Sequence, residues 1–180
     1  GLNFETDEDI SDLDASLIIT GFIPFEYLDD LNTYPELINF VRPAIPPIGN
    51  AITTQGDQVM RANWSRAGYD INGQGVKIAV LSDSYDTKEG AAADNITNGE
   101  LPHVTVVKEL PSRYGQGTDE GRAMLQIVHD VAPGAELYFR TGFITAGDFA
   151  KGIRDLKTNQ NADIIVDDIT YITEPFYTDG

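Results

Sequence analysis

The clearest pattern in the second half of the chain is a run of short apolar segments separated by helical stretches. Val76–Leu81, "VKIAVL", is nearly continuously apolar, as expected of a parallel strand buried on both faces. "VTVVKEL" (104–110), "AELYFRT" (135–141) and "ADIIVDDITYI" (162–172) repeat the signal. Between them, 122–130 and 146–158 carry apolar residues at helical spacing; Phe149, Ile153 and Leu156 are expected on one face of the latter. Strands alternating with helices predict a parallel α/β sheet. Ligands in such sheets gather beyond the carboxyl ends of the strands.

Upstream the pattern is weaker. "ASLIITGFIP" (15–24) reads as a strand, and Phe25, Leu28 and Leu31 suggest a short helix that Pro35 interrupts. "LINFVRP" (37–43) reads as a second strand, ended by proline. "AIPPIGNAITTQG" (44–56) is the best linker, and 56–68 is expected as one helix with Val59, Met60, Asn63 and Trp64 on a stripe.

Charge narrows the function classes. The 180 residues carry a net charge of −17, which argues against binding nucleic acid or anionic membranes. Ten acids and no Lys or Arg fall between Gly1 and Glu36. "ETDEDISDLD" (5–14) looks like a solvated acidic lead-in; it leaves a calcium ion open as a cofactor, although a calcium loop's glycine is missing. No other cofactor is expected. The absence of cysteine removes thiolate nucleophiles and disulfides, and two separated histidines, His103 and His129, do not make a zinc site. No run approaches the roughly 18 apolar residues of a membrane span. The "NGQG" turn precedes its strand instead of following it, and no GxxxxGK[ST] segment occurs, so nucleotide binding is disfavoured.

Two acids stand where chemistry is expected. Asp83 follows "VKIAVL" at the strand's carboxyl end. Glu120 falls in the first turn of a helix that Thr118 or Asp119 can cap, a place the helix dipole already favours for negative charge. If their carboxyls meet, one should hold a proton, because two like charges at that distance repel. A glutamate so perturbed can act as a general base, working at acidic to neutral pH. His129 lies nine residues beyond Glu120, roughly 900° around a helix and half a turn out of phase, so neither histidine is assigned a catalytic role.

"KIAVLSDSYD" and "EGRAMLQIVHDVAPGAELY" together resemble the subtilisin-like serine peptidases. In that family an apolar strand ends in Asp-Ser/Thr-Gly, a His-Gly-Thr motif opens a helix, and an Ala-Pro turn leads to the next strand. Asp83-Ser84, Gly121, Ala123 and Ala132-Pro133 match, with Tyr85 in place of the glycine and Glu120 in place of the histidine. A glutamate base is similar to that of the sedolisins, but their partner Asp, one turn further on, is Met124 here. The resemblance covers about Gln55 to Gly180. It implies a partial subtilisin-like three-layer α/β domain (48–180), preceded by a small α+β propeptide-like element (15–47) and the acidic lead-in (1–14). It implies the N-terminal part of a secreted or cell-surface serine endopeptidase acting on peptide or protein substrates, with Asp83 and Glu120 as the acid/base pair. The family's Gly-Thr-Ser nucleophile segment and oxyanion Asn do not occur, and Ser65, Ser82, Ser84 and Ser112 lack any nucleophile motif. This chain alone is therefore expected to be inactive, its partner being the C-terminal remainder of the domain. Asp167 and Asp168 replace the family's usual Asn beside the bound peptide; they are expected on opposite strand faces as substrate-binding candidates. The alternative is a non-catalytic scaffold of the same fold; a calcium-binding surface domain is a third reading.

Overall fold

The computed structural model describes residues 5–6, 21–36, 38, 40–41, 48–49, 56–88 and 90–172. The chain divides into two compact units, Gly1–Ile45 and Pro46–Gly180.

In the first unit, β1 (Glu5–Thr6) pairs antiparallel with β2 (Gly21–Phe22). The helix expected from Phe25, Leu28 and Leu31 is instead two 3-10 turns, Phe25–Tyr27 and Asp29–Thr33. Neither turn buries a residue, so nothing rewards a full α-helix. Most of the strand expected at 15–24 and the rest of the acidic lead-in fall outside the described residues. Of the strand expected at 37–43, the described Ile38, Phe40 and Val41 have no regular structure.

The second unit is α/β. Its core is a four-stranded parallel sheet in the order β5 (Val104–Lys108), β6 (Glu136–Thr141), β4 (Lys77–Ser82), β7 (Ile164–Asp167). Alternation along the strands sorts the side chains into two cores. Ile78, Val80, Leu137 and Phe139 pack with Ala92 of α3 (Ala91–Thr97) and Leu125 of α4 (Glu120–Val131). Ala79, Leu81 and Tyr138 pack on the other face with Leu156 of α5 (Ala146–Thr158). Val80, Leu81 and Phe139 are fully buried, as the continuous apolar runs predict.

Several local expectations change. The helix at 56–68 is split into α1 (Gly56–Val59) and α2 (Ala62–Tyr69) by Arg61, which adopts a left-handed φ of 58°. The stripe expected on it faces solvent: Val59, Met60, Asn63 and Trp64 are exposed. Arg66 explains where the pair docks. Its guanidinium holds both carboxyl oxygens of Asp57 (2.7 and 3.0 Å) and donates to the carbonyls of Asp130 and Val131, satisfying the open end of α4. In α5, Leu156 is buried as expected, but Ile153 is exposed and Asp148 takes a core position. The run at 162–172 is two strands: β7 in the parallel sheet, then β8 (Ile169–Thr170), which pairs antiparallel with β3 (Ile48–Gly49). The break between them is Asp168. Helix α3 has no counterpart in the sequence reading; "AAADNIT" buries only Ala92, too little to leave a periodic signature.

Candidate active site

Connections from β4 leave toward β5 on one side, and the chain later crosses β4 to reach β7. The carboxyl end of β4 is therefore the switch point of the sheet, where a crevice is expected. Asp83 lies there, 4 % exposed.

Its carboxylate is saturated by the segment that opens α4. Oδ2 accepts from the Thr118 N–H (2.5 Å) and hydroxyl (2.7 Å). Oδ1 accepts from the Glu120 N–H (3.0 Å) and the Ser84 N–H (2.5 Å). Asp83 thus caps α4 from a neighbouring strand, placing a negative charge at the positive end of the helix. Neither expected local cap is used. Thr118 turns its hydroxyl to Asp83, and Asp119 has a left-handed φ of 63° with no side-chain capping bond.

The Asp119 carboxylate holds the opposite side of the same loop. Oδ1 accepts from the Ser84 hydroxyl (2.9 Å), the Thr87 N–H (2.8 Å) and the Thr87 hydroxyl (2.7 Å). Oδ2 accepts from the Lys88 N–H and the Arg122 guanidinium, both at 3.0 Å. Ser84 in turn accepts the Asp119 N–H at 2.8 Å. Buried and doubly bonded, Ser84 is a lock between two loops. Close approach there demands glycine at two positions. A Cβ on Gly117 would fall 2.0 Å from Ser84 Oγ, and one on Gly121 2.3 Å from Phe139 Cε2 and 2.8 Å from the Ser84 carbonyl. The large Tyr85 that follows is buried and packs on Phe139, ring centroids 5.7 Å apart.

Asp83 and Glu120 are therefore brought together, but through the Glu120 backbone. The side-chain partner of Glu120 is Asp168, which burial and strand parity explain. In the β4–β7 register Val80 lies beside Val166 and Leu81 beside Asp167. One further step brings Ser82 alongside Asp168, both on the α4 face. The Asp168 carboxyl oxygens and Glu120 Oε1 are all removed from solvent. Burial pushes the Glu120 carboxyl up to about 7, reinforced by the charge of Asp168, the contact with it, and the charge of Asp83. Asp168 is also raised, chiefly by burial. The Ser82 hydroxyl, fully buried, is near enough to Asp168 to favour its ionised form, although it aligns with no acceptor among the described residues at full hydrogen-bonding geometry.

The two substrate-binding candidates are thus parted. Asp168 turns into the acid site; Asp167 is exposed. His129, in the last turn of α4, has a buried Nδ1 without a partner, and His103 is exposed. Among the described residues no group of three or more acids and histidines is arranged to hold a metal ion. Among them, too, no helix is long and apolar enough to cross a membrane.

A raised carboxyl makes stability depend on pH. Glu120 is neutral more readily in the folded chain than in the unfolded one, so its contribution is full below the ordinary carboxylate range and is lost as pH rises through about 7. The full linkage is about 3 kcal/mol, which partial solvent screening reduces to about 1–2 kcal/mol. Glu120→Gln is expected to be more stable than the wild type by that amount at about pH 8, the gap closing by about pH 5, in urea titrations at both pH values. Parallel pH slopes for the two proteins would contradict it.

No protein-family model, no curated protein and no solved structure matches the chain.

Proposed function

We propose that this domain carries the acid/base half of a subtilisin-like serine endopeptidase, with Glu120 as the general base and Asp83 as the acid that fixes the turn presenting it. The observation that carries the reading is the meeting of two distant segments at the carboxyl end of β4: the strand-ending Asp83 accepts the N–H of Glu120, which opens α4. A glutamate titrating near 7 has the basicity of the imidazole it would replace. In the proposed step a serine hydroxyl attacks the peptide carbonyl and its proton passes to a Glu120 oxygen. The protonated Glu120 then gives that proton to the departing amine, leaving an acyl-serine for water to cleave. No Gly-Thr-Ser segment lies within the 180 residues, so on this reading the nucleophile and oxyanion donors come from outside them. On this reading Asp167, exposed at the end of β7, would meet a basic side chain of the peptide.

The test uses the protein expressed from its complete gene, treated with a fluorophosphonate probe and with an unfolded protein substrate. Labelling of a single serine and hydrolysis are expected. Glu120→Gln should lower kcat/KM by at least about 100-fold, the usual loss on removing a general base. Absence of both labelling and hydrolysis would favour the non-catalytic scaffold reading. Hydrolysis indifferent to Glu120→Gln would remove Glu120 from the chemistry.

A further inference from the structure

We propose that Asp168 is the positioning residue for Glu120: the two carboxyls share a single proton, and Ser82 fixes Asp168 at the end of the β4–β7 pair. The inference rests on the peptidase reading for its purpose but not for its geometry.

A histidine base brings its own N–H to the acid that orients it. A glutamate base has no such donor. Two ionised carboxylates repel; they attract only when a proton lies between them. Asp83 is not free to supply this contact, because both its oxygens are already taken by Ser84, Thr118 and Glu120 donors. Asp168 reaches Glu120 from a different strand, at the one-residue break between β7 and β8. That break is what lets an edge strand turn a carboxyl toward α4 while the chain goes on to pair with β3.

Among the described residues, the nearby cations are already engaged elsewhere and do not replace the proton. On α4 itself, Arg122 is engaged by the Tyr85 carbonyl, Asp86 and Asp119. From α1 and α2, Arg66 is held by Asp57 at the far end of α4. Among the described residues, the charges that raise the Glu120 carboxyl are those of Asp168 at the β7–β8 break and Asp83 at the end of β4, both acids. Independently of the acids, the Ser82 hydroxyl is a wholly buried group on the same face, without an aligned acceptor among the described residues. A hydroxyl in that place favours ionised Asp168, which can take the shared proton from Glu120 as Glu120 accepts the proton of the attacking serine. The working form is then the pair carrying one proton. Above its upper titration the proton is gone, the carboxylates push apart, and Glu120 loses its anchor; the site is switched off by alkali.

The experiment is carboxyl carbon NMR of the 180-residue chain labelled at Glu and Asp, titrated through the acid and neutral range, with Glu120 assigned by its loss in Glu120→Gln. Glu120 and Asp168 are expected to report the same upper midpoint, as one coupled unit. Asp168→Asn should lower the Glu120 midpoint by about one pH unit or more, leaving what burial and Asp83 impose. Ser82→Ala removes a donor that favours ionised Asp168, and so should move the shared midpoint upward. Opposite shifts from the two variants support the proposal. A Glu120 midpoint unchanged in Asp168→Asn overturns it, even if Glu120→Gln abolishes hydrolysis. Opposite shifts in a protein whose complete form shows no serine labelling would leave the proton pair standing and remove the peptidase reading alone. Should Asp168→Asn not fold, an Asp168 signal titrating independently of Glu120 in the wild type overturns the proposal equally.

Discussion

Asp119→Ala is expected to lower the unfolding free energy by about 3–5 kcal/mol, because it strips the most buried acidic partner from a buried cation and empties a network at once. Arg122 is nine-tenths buried, and Asp119 is the most buried of its acidic partners. The same carboxylate takes two backbone N–H groups, from Thr87 and Lys88, and two hydroxyls, from Ser84 and Thr87. Alanine leaves these donors without an acceptor in a place water does not easily reach. It also forces a residue with a Cβ but no compensating bonds to keep a left-handed φ of 63°. The pH signature is opposite to that of Glu120. Burial alone raises the Asp119 carboxyl, but the bonds from Thr87, Ser84 and Lys88 outweigh it and bring it down to about 2. Its contribution is therefore present above the ordinary aspartate value and is lost as pH falls toward 2. Urea unfolding at neutral pH reads the loss; acid unfolding of the variant should lack the component between about pH 4 and pH 2. A loss below about 1 kcal/mol would mean that the loop relaxes to water, and that the Asp119 network is not what fixes Glu120 over Asp83.

What the sequence reveals depends on how far apart the cooperating residues are. The central strands β4 and β6 are legible because each is a run of apolar residues buried on both faces, a signal carried within six or so positions; β5 and β7 carry similar apolar runs although Val106, Ile164 and Val166 are exposed. Asp83 and Glu120 are legible as a pair only because each sits at the end of an element whose bounds are sharp. The Glu120–Asp168 contact is not. It depends on the register of β4 against β7, and register across a parallel pair leaves no mark in either strand alone. The parity of "VDD" says that one acid turns toward each face; only the alignment of Leu81 with Asp167 says which one meets Ser82. The reverse holds for "VMRANW". Its apolar spacing is that of a core helix, but α1 and α2 are attached through Arg66 and Asp57, and Val59, Met60 and Trp64 stay in solvent. Asp119 reads as a helix cap by position and is a hub by contact, because Asp83 has already taken the capping role from the next strand.

On the opposite face of the sheet, Asp148→Ala should cost about as much as Asp119→Ala, about 3–5 kcal/mol, for the same physical reason. Arg140 stands in β6 within an otherwise apolar run and is 2 % exposed. Its guanidinium grips Asp148 with two parallel bonds, 2.9 and 3.0 Å, and the Lys108 ammonium adds a third at 2.6 Å. Gly152 makes room for it: a Cβ there would fall 2.5 Å from the Arg140 Nη1. Without the Asp148 carboxylate two cations face each other beneath β5 and β6, and α5 keeps only the Arg140 bond to the Asp148 carbonyl and its apolar packing to the sheet. Because the Arg140–Asp148 pair is buried, the loss should change little between low and high salt, unlike that of a surface pair. Replacing both residues, Arg140→Met with Asp148→Leu, should recover much of the stability that the single change removes, since the pair is expensive to desolvate and costly only when halved. Urea titrations of the single and double variants separate these outcomes; a double variant as unstable as Asp148→Ala would mean that the charges contribute more than their packing. The consequence reaches the acid site through β6. The residue after Arg140 is Thr141, whose hydroxyl donates to the Asp83 carbonyl at 2.6 Å, while the next N–H, from Gly142, donates to the Ser82 carbonyl at 2.8 Å. The strand that Asp148 anchors from below is thus the one that holds Ser82 and Asp83 in place from the side. Loosening it should broaden the Glu120 titration even in a protein that remains folded.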